Sequence, residues 1–271
     1  MKGNRMLCLA AAAVCALLVL AGCAGAVRGT DKQEDKAATI VVGCDDYSPF
    51  GYTDADGTIT GIDVDLAKEA FGRMGYRPQF AFINWEDKKK LLAEGSIDCI
   101  WSSFTMDGRE DEYNWAGPYM ESHQVVAVNE DSDIYTLQDL QDKNMAVQST
   151  TKPEDIFRSH DDRVPQLRKL ISVQKRDLIF IMLSKGYVDA IAAHDTSVEQ
   201  FEQETGLKFR ILEEPLQTVG LGVAFDKNNT SGINVELTKV LNDMNADGTT
   251  AQIIEKYMQD VDMYLVKPNE N

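Results

Sequence analysis

Residues 39–83 read TIVVGCDDYSPFGYTDADGTITGIDVDLAKEAFGRMGYRPQFAFI, and their hydropathy changes period twice. Thr39–Cys44 is a nearly continuous apolar run of strand length. Asp54-Ala55-Asp56-Gly57 carries turn residues, with Asp56-Gly57 as the tight pair. From Asp63 to Met74, Val64, Ala67, Phe71 and Met74 fall on one face of a helix. Gln79–Ile83 returns to strand character. A buried strand, an amphipathic helix and a second strand form the unit of an α/β sheet, largely parallel and covered on both faces.

The alternation continues outward from this stretch. Glu86–Ala93 reads as a short helix closed by Gly95, and Ile97–Trp101 as a strand. Val125–Val128, Met145–Val147, Leu170–Val173 and Val188–Ala192 read as further strands with helices between them. Gln217–Phe225 is a last strand, and Ile233–Met244 and Thr249–Met258 are terminal helices. No internal repeat or low-complexity segment interrupts the order.

Upstream, residues 7–21 form an unbroken apolar run, LCLAAAAVCALLVLA, behind Lys2 and Arg5. The run is shorter than the ~20 residues a spanning helix needs, and its layout is that of an export signal. It ends Leu20-Ala21-Gly22-Cys23, which resembles the lipobox of bacterial lipoproteins and implies lipidation of Cys23. Residues 1–22 are therefore expected to be removed. Residues 23–38 are then a lipidated Cys and a polar tether holding the folded body at the outside of the cell membrane. An ordinary signal peptide with an incidental Cys is the plainer alternative.

The chain has 271 residues, with 27 Lys and Arg against 44 Asp and Glu, a formal charge of −17. Without residues 1–22 it has 25 basic against 44 acidic side chains, or −19. Such a balance is unsuited to nucleic acid, which requires clustered cations. Of five Cys, Cys8 and Cys15 leave with the signal and Cys23 goes to lipid. Cys44 and Cys99 remain in apolar strands, as buried thiols or as one disulfide. His123, His160 and His194 have no metal-ligand spacing, and no metal or cofactor is expected. Asp243-x-Asn245-x-Asp247-Gly248 copies half of a calcium loop, but its twelfth position is Ile254, where a bidentate Glu is required.

Six segments, in order from about 39 to 260, carry a resemblance. They are Val42-Gly43-Cys44-Asp45-Asp46-Tyr47-Ser48-Pro49-Phe50; Asp56-Gly57 with Gly61-Ile62-Asp63-Val64-Asp65-Leu66; Gly95-Ser96-Ile97-Asp98-Cys99-Ile100 with Ser102-Ser103-Phe104-Thr105 and Arg109; Val147-Gln148-Ser149-Thr150-Thr151; Gly186-Tyr187-Val188-Asp189-Ala190-Ile191; and Ala246-Asp247-Gly248-Thr249 with Ile253-Ile254-Glu255-Lys256-Tyr257. Together they resemble the bacterial extracellular solute-binding proteins of family 3, the amino-acid receptors of ABC importers.

The resemblance implies an α/β, two-lobed, periplasmic-binding-protein-like (type II) fold, with a ligand cleft between the lobes and two crossover hinge strands. Lobe 1 is expected at 39–120 and 220–266, lobe 2 at 121–219, and a tail at 267–271. It also implies a monomeric receptor that is not an enzyme and passes an amino acid to a permease. Two other readings stay open: a dehydratase on the same fold acting on prephenate or arogenate, and a ligand-sensing subunit for a membrane receptor.

The resemblance assigns the cleft residue by residue. Arg109 matches the family's carboxylate-binding Arg, although Thr105 to Arg109 is one residue shorter than the family pattern. A guanidinium supplies the bidentate geometry a carboxylate needs; a surface Arg in the acidic run DGREDE is the plainer alternative. Ser102, Ser103 and Thr105 follow a strand end, where hydroxyls face a ligand or simply end a strand. Thr150 and Thr151, with Gln148 beside them, precede a helix; Thr151-x-x-Glu154 is also a capping box with Pro153 in the first turn.

Tyr47 and Trp85 match aromatic positions of the family's cleft, and Asp45 its lobe 1 acid. The ammonium partner departs from the pattern, because the family's Asp column holds His194 and Asp195 follows it. A register shift that brings Asp195 into the cleft, a direct contact by His194, and Asp195 as a mere helix cap are the three readings. The first is the expectation adopted.

Overall fold

The computed structural model describes residues 37–159 and 162–267. The expected export signal, Cys23, the expected tether as far as Lys36 and the expected tail beyond Lys267 lie outside the described residues.

The opening stretch folds as its periodicity requires. β1 (Ala38–Cys44) is followed by the short pair β2 (Tyr52–Thr53) and β3 (Ile59–Thr60), then α1 (Ile62–Arg73) and β4 (Tyr76–Phe82). β1 and β4 pair in parallel, and α1 buries Ile62, Val64, Leu66, Ala67, Ala70 and Phe71. Gly61 enters this helix at φ 129°, where a Cβ would stand 2.3 Å from the Phe50 carbonyl oxygen, so only Gly fits.

The chain continues with α2 (Lys88–Ala93), β5 (Cys99–Thr105), β6 (Asn114–Asn129), β7 (Asn144–Gln148) and α3 (Lys152–Arg158). Next come β8 (Lys169–Val173), α4 (Asp177–Ser184), β9 (Ala190–His194), α5 (Asp195–Thr205) and β10 (Phe209–Ile211). β11 (Gln217–Phe225), α6 (Ile233–Ala246) and α7 (Thr249–Ile254) complete it. The strands form one mixed sheet in the order β4-β1-β5-β11-β6-β9-β7-β8, with β10 also on β6. Its flanks, β4-β1-β5 and β9-β7-β8, are parallel; its centre is antiparallel. The expected parallel character therefore holds only for the flanks.

β6 and β11 hold the two halves together. The first part of β6 pairs with β11 from Asn114↔Phe225 to Gln124↔Gln217, and the second part pairs with β9 and β10. Sequence periodicity marks only Val125–Val128 of this strand. The earlier part is broken by Gly117-Pro118 and by polar Glu121, Ser122 and His123. The β6–β11 register shifts between Leu221 and Val223, which lets Pro118 sit in the strand without a ladder N–H. The Gly117 amide donates to Thr238 Oγ1 on α6 at 3.1 Å.

Separate cores serve the two halves. One packs β1, α1, β5, β11 and α6 around Phe50, Leu66, Phe71 and Trp101. In the other half, Val126, Met145, Val147 and Ile156 pack on one sheet face, and Phe180, Leu183 and Ile191 on the opposite face. Cys44 and Cys99 are free, buried thiols. Burial pushes Cys44 up to about 12, and the Cys44 thiol donates to the Ala81 carbonyl at 3.6 Å.

One polar group is buried in the first core. Asp63, in the first turn of α1, accepts from the Ser103 amide at 2.6 Å and from the Tyr119 hydroxyl at 2.7 Å. Burial raises this carboxyl to about 7, against the opposing pull of those two bonds. Replacing Asp63 by Ala leaves the Ser103 amide and the Tyr119 hydroxyl unpaired. Each such loss costs about 1–3 kcal/mol, so Asp63→Ala is expected to lower unfolding free energy by about 2–6 kcal/mol. Urea titration checks this, and a change below 1 kcal/mol would show that Asp63 is not an anchor.

Candidate functional site

Where the two halves face each other, side chains from both line a partly open cavity. Its floor is the C-terminal end of β5. All seven residues of β5 are buried, and Ser102, Ser103, Phe104 and Thr105 line the cavity. Ser103 has φ 42°, a conformation uncommon outside Gly, and it is held there by the Asp63 carboxylate.

Past β5 the chain turns back, and the Arg109 guanidinium returns to the Thr105 carbonyl at 3.5 Å. Its carbon stands 5.4 Å from the centre of the Phe104 ring, and its Nη2 meets Asp155 Oδ2 of α3 at 2.5 Å. The side chain is only 9% exposed, which excludes the plain surface reading of Arg109. Trp85 closes the same wall, edge-on to Phe104 at 5.2 Å.

The opposite wall comes from the second half. Gln148 ends β7 and Thr150 follows with φ 56°. Thr151 turns its hydroxyl to the Gln148 carbonyl at 2.6 Å, and Glu154 accepts from the Thr150 amide. The expected reciprocal capping box at Thr151 is therefore not formed; both side chains instead brace the loop that presents Thr150. Lys88 reaches over from α2 and donates to Thr150 Oγ1 at 2.7 Å.

Asp45 does not line the cavity. It stands behind the wall, accepting from Gln148 Nε2 at 2.8 Å and lying 3.6 Å from Arg176 Nη2. Tyr47 is also outside the lining: its ring lies flat against the Arg176 guanidinium, 3.5 Å from the carbon to the ring centre. Both residues expected to touch the ligand thus contact Arg176, which does line the cavity.

His194 ends β9, is buried, and lines the cavity; Asp195 does not. The reason is strand alternation, since one residue along an extended chain faces the other way. The pairings Gln124↔His194 and Met145↔Ala190 fix that register, so a shift that would bring Asp195 inward is blocked. Asp195 instead meets His123 Nδ1 at 2.9 Å and the Tyr264 hydroxyl at 3.4 Å, and caps its neighbour's amide.

The His194 ring is held at both nitrogens, by Ser122 Oγ at 2.8 Å and by Gln124 Nε2 at 3.0 Å. With the Gln124 amide donating, the His194 proton sits on Nδ1. Burial first, and then the Arg176 cation, push its pKa down to about 3, so it is neutral at physiological pH.

Several buried polar atoms of the cavity wall have no hydrogen-bond partner in the protein: Trp85 Nε1, Ser103 Oγ, Gln124 Oε1, Gln148 Oε1 and Arg176 Nε. Buried polar atoms are rarely left so, and among the described residues five of the nine such side-chain atoms belong to the lining of this one cavity. Among the described residues no cluster of three His, Cys, Asp or Glu could hold a metal.

Of the residues expected from sequence, Arg109, Ser102, Ser103, Thr105, Trp85, Gln148, Thr150, Thr151 and His194 line this cavity. Phe104, Gln124, Lys152 and Arg176 also line it and were not expected. Gln124 sits where β6 passes between the halves, a place visible only in the fold. Arg176 follows a strand end, the position rule that pointed to Ser102 and Thr105, and so was within reach of the same reasoning.

A match to bacterial extracellular solute-binding proteins, family 3, covers residues 40–260, and the chain belongs to that family. Its fold is the α/β, two-lobed, type II periplasmic-binding fold. Among curated relatives, the chain is 28% identical over 215 residues to the putative amino-acid ABC transporter-binding protein PatH of Vibrio harveyi, covering 78% of this chain and 84% of that one. It is 28% identical over 227 residues to the histidine-binding periplasmic protein of Salmonella typhimurium, covering 80% and 86%. A solved substrate-binding protein of an amino acid ABC transporter superposes with a TM-score of 0.73 at 25% identity, covering 82% of this chain and 100% of that one.

The neutral state of His194 has a pH consequence. Between about 3 and 6.5 the unfolded chain binds a proton at this position that the native chain does not, so this site's contribution to stability is lost as pH falls. Asp63 has the opposite slope between about 4 and 7, because the native state holds its proton. His194→Gln is therefore expected to remove only the acid-sensitive component. From pH 6 to 4, wild type should lose about 1.4 kcal/mol per pH unit relative to the variant. Parallel urea titrations over that range check this, and parallel pH profiles would refute it.

Proposed function

We propose that this protein captures an amino acid or a close analogue in the cavity between its lobes and delivers it to the permease of an ABC importer. The lobes of this reading are 39–120 with 220–266, and 121–219. The observation that carries it is Arg109: a buried guanidinium at the wall of a cavity whose other lining residues include several with unpaired buried polar atoms. A ligand carboxylate on Arg109 displaces Asp155, whose side chain is 53% exposed and free to return to water. Hydroxyls of Ser103 and Thr105 and the amide groups of Gln124 and Gln148 serve the rest of the ligand.

Closure follows from the same geometry. A ligand that touches β5 on one side and Gln148–Thr151 on the other gains contacts only when the halves are together, and so favours the closed state. The polar links already crossing the cleft, Arg109–Asp155, Lys88–Thr150 and Asp45–Gln148, define that state.

Relatives named as binding proteins support capture over catalysis. The dehydratase reading asks for a carboxyl poised in the cleft, and none is among the lining residues. Delivery at the membrane surface, with Cys23 as the lipidated residue, follows the export signal and the Leu20-Ala21-Gly22-Cys23 motif.

Arg109→Ala is expected to lower amino-acid affinity by roughly 100-fold or more, since it removes charge-assisted hydrogen bonds of about 1.5–3 kcal/mol each. Calorimetry reads this on a protein whose circular dichroism is unchanged; wild-type affinity would sink the assignment. Cys23→Ser is expected to move the protein from the membrane fraction to the soluble fraction. Its persistence in membranes would count against lipidation at Cys23.

A further inference from the structure

The cavity has a charge that the chain as a whole does not. Its lining contains three cationic side chains, Arg109, Lys152 and Arg176, and no carboxylate. A fourth cation, Lys88, is buried against the loop at Thr150. The acids that pair with the two arginines both approach from outside the lining. Asp155 reaches Arg109 from the rim, and Asp45 stands behind Arg176. Of the pair at Arg176, only the arginine lines the cavity, and its buried Nε has no hydrogen-bond partner in the protein.

The packing around Arg176 fixes this orientation. Its side chain is 9% exposed and lies on the Tyr47 ring. Neutral His194 adds no counter-charge, and both its ring nitrogens are already engaged. A cationic group entering the cavity meets only neutral acceptors, chiefly Gln124 Oε1 and Gln148 Oε1, among several like charges. An anionic group meets a guanidinium at either of two sites. Inside a protein such preferences are stronger than in water. Surface acids farther away than a Debye length of about 8 Å are screened.

We propose that the ligand of this cavity carries two carboxylates and a net negative charge, one carboxylate taking the place of Asp155 on Arg109 and the other reaching Arg176. Two kinds of molecule share that chemistry: an amino acid with an acidic side chain, and a short dicarboxylate without an amine. The proposal rests on the reading of this cavity as the ligand site of a solute-binding protein, and names the ligand's charge.

Calorimetric titration of the purified full chain tests it. The probes are L-glutamate, L-aspartate, succinate and 2-oxoglutarate, set against L-glutamine, L-arginine and L-histidine. The diacids are expected to bind at least tenfold more tightly than L-glutamine, and the basic amino acids to give no measurable binding. Binding of glutamate or aspartate without succinate or 2-oxoglutarate identifies an amino-acid ligand; the reverse identifies an amine-free one, and either sustains the charge assignment.

Arg176→Gln is expected to cut the glutamate-over-glutamine ratio at least tenfold, and Arg176→Lys to restore part of it. Should Arg176→Gln not fold, the wild-type panel and the Arg176→Lys ratio decide. Preference for arginine, histidine or glutamine over the diacids overturns the proposal while leaving amino-acid capture standing. No binding of any amino acid or dicarboxylate overturns both.

Discussion

One buried carboxylate ties together the parts that make the site. Asp63 belongs to the first turn of α1, Ser103 to β5, and Tyr119 to β6, the strand that passes between the halves. The two oxygens of Asp63 hold the Ser103 amide and the Tyr119 hydroxyl. A backbone at φ 42° does not persist for a serine without such support. The carboxylate thus sets where Ser102–Thr105 end, and through Thr105 where the Arg109 side chain returns. Residues on three elements far apart in the chain depend on one side chain that never touches the cavity.

The cavity itself is a study in indirect support. Asp45 and Tyr47 resemble ligand contacts in sequence, yet in space they position Arg176, one by charge and one by its ring face. Thr151 and Glu154 brace the loop of Thr150 in place of capping each other. Such outer contacts decide how rigidly a binding group is presented, and rigidity lowers the entropic cost of binding. The same economy explains how an acidic protein presents a cationic pocket, because local geometry outweighs a screened global charge.

How much of the site was legible in the sequence depends on the range of the physics involved. Ser102, Ser103 and Thr105 could be placed because a strand end follows from local periodicity, whereas Arg109 was reached only through the family resemblance. Gln124 could not, because the first part of β6 looks like a loop until β11 pairs with it across almost a hundred residues of sequence. Lys88 sits in the run Lys88-Lys89-Lys90, which reads as a solvated face; only packing shows that Lys88 is buried while Lys89 and Lys90 remain exposed. His194 and Asp195 could not be separated either. They are neighbours with opposite orientations, and the choice is made by partners at Gln124 and Met145.

By itself the sequence determined the alternation of strands and helices, the apolar face of the first helix and a short set of polar strand ends. All of these follow from interactions within a turn or two of chain. Only the tertiary structure decided that β6 and β11 run antiparallel through the centre, that Asp195 faces away, and that Arg109 and Arg176 line one cavity while their carboxylate partners stand outside its lining. Those outcomes depend on which distant segments pair and on which side of each strand then faces inward. A change of one residue in register reverses that side, so local pattern alone cannot supply it.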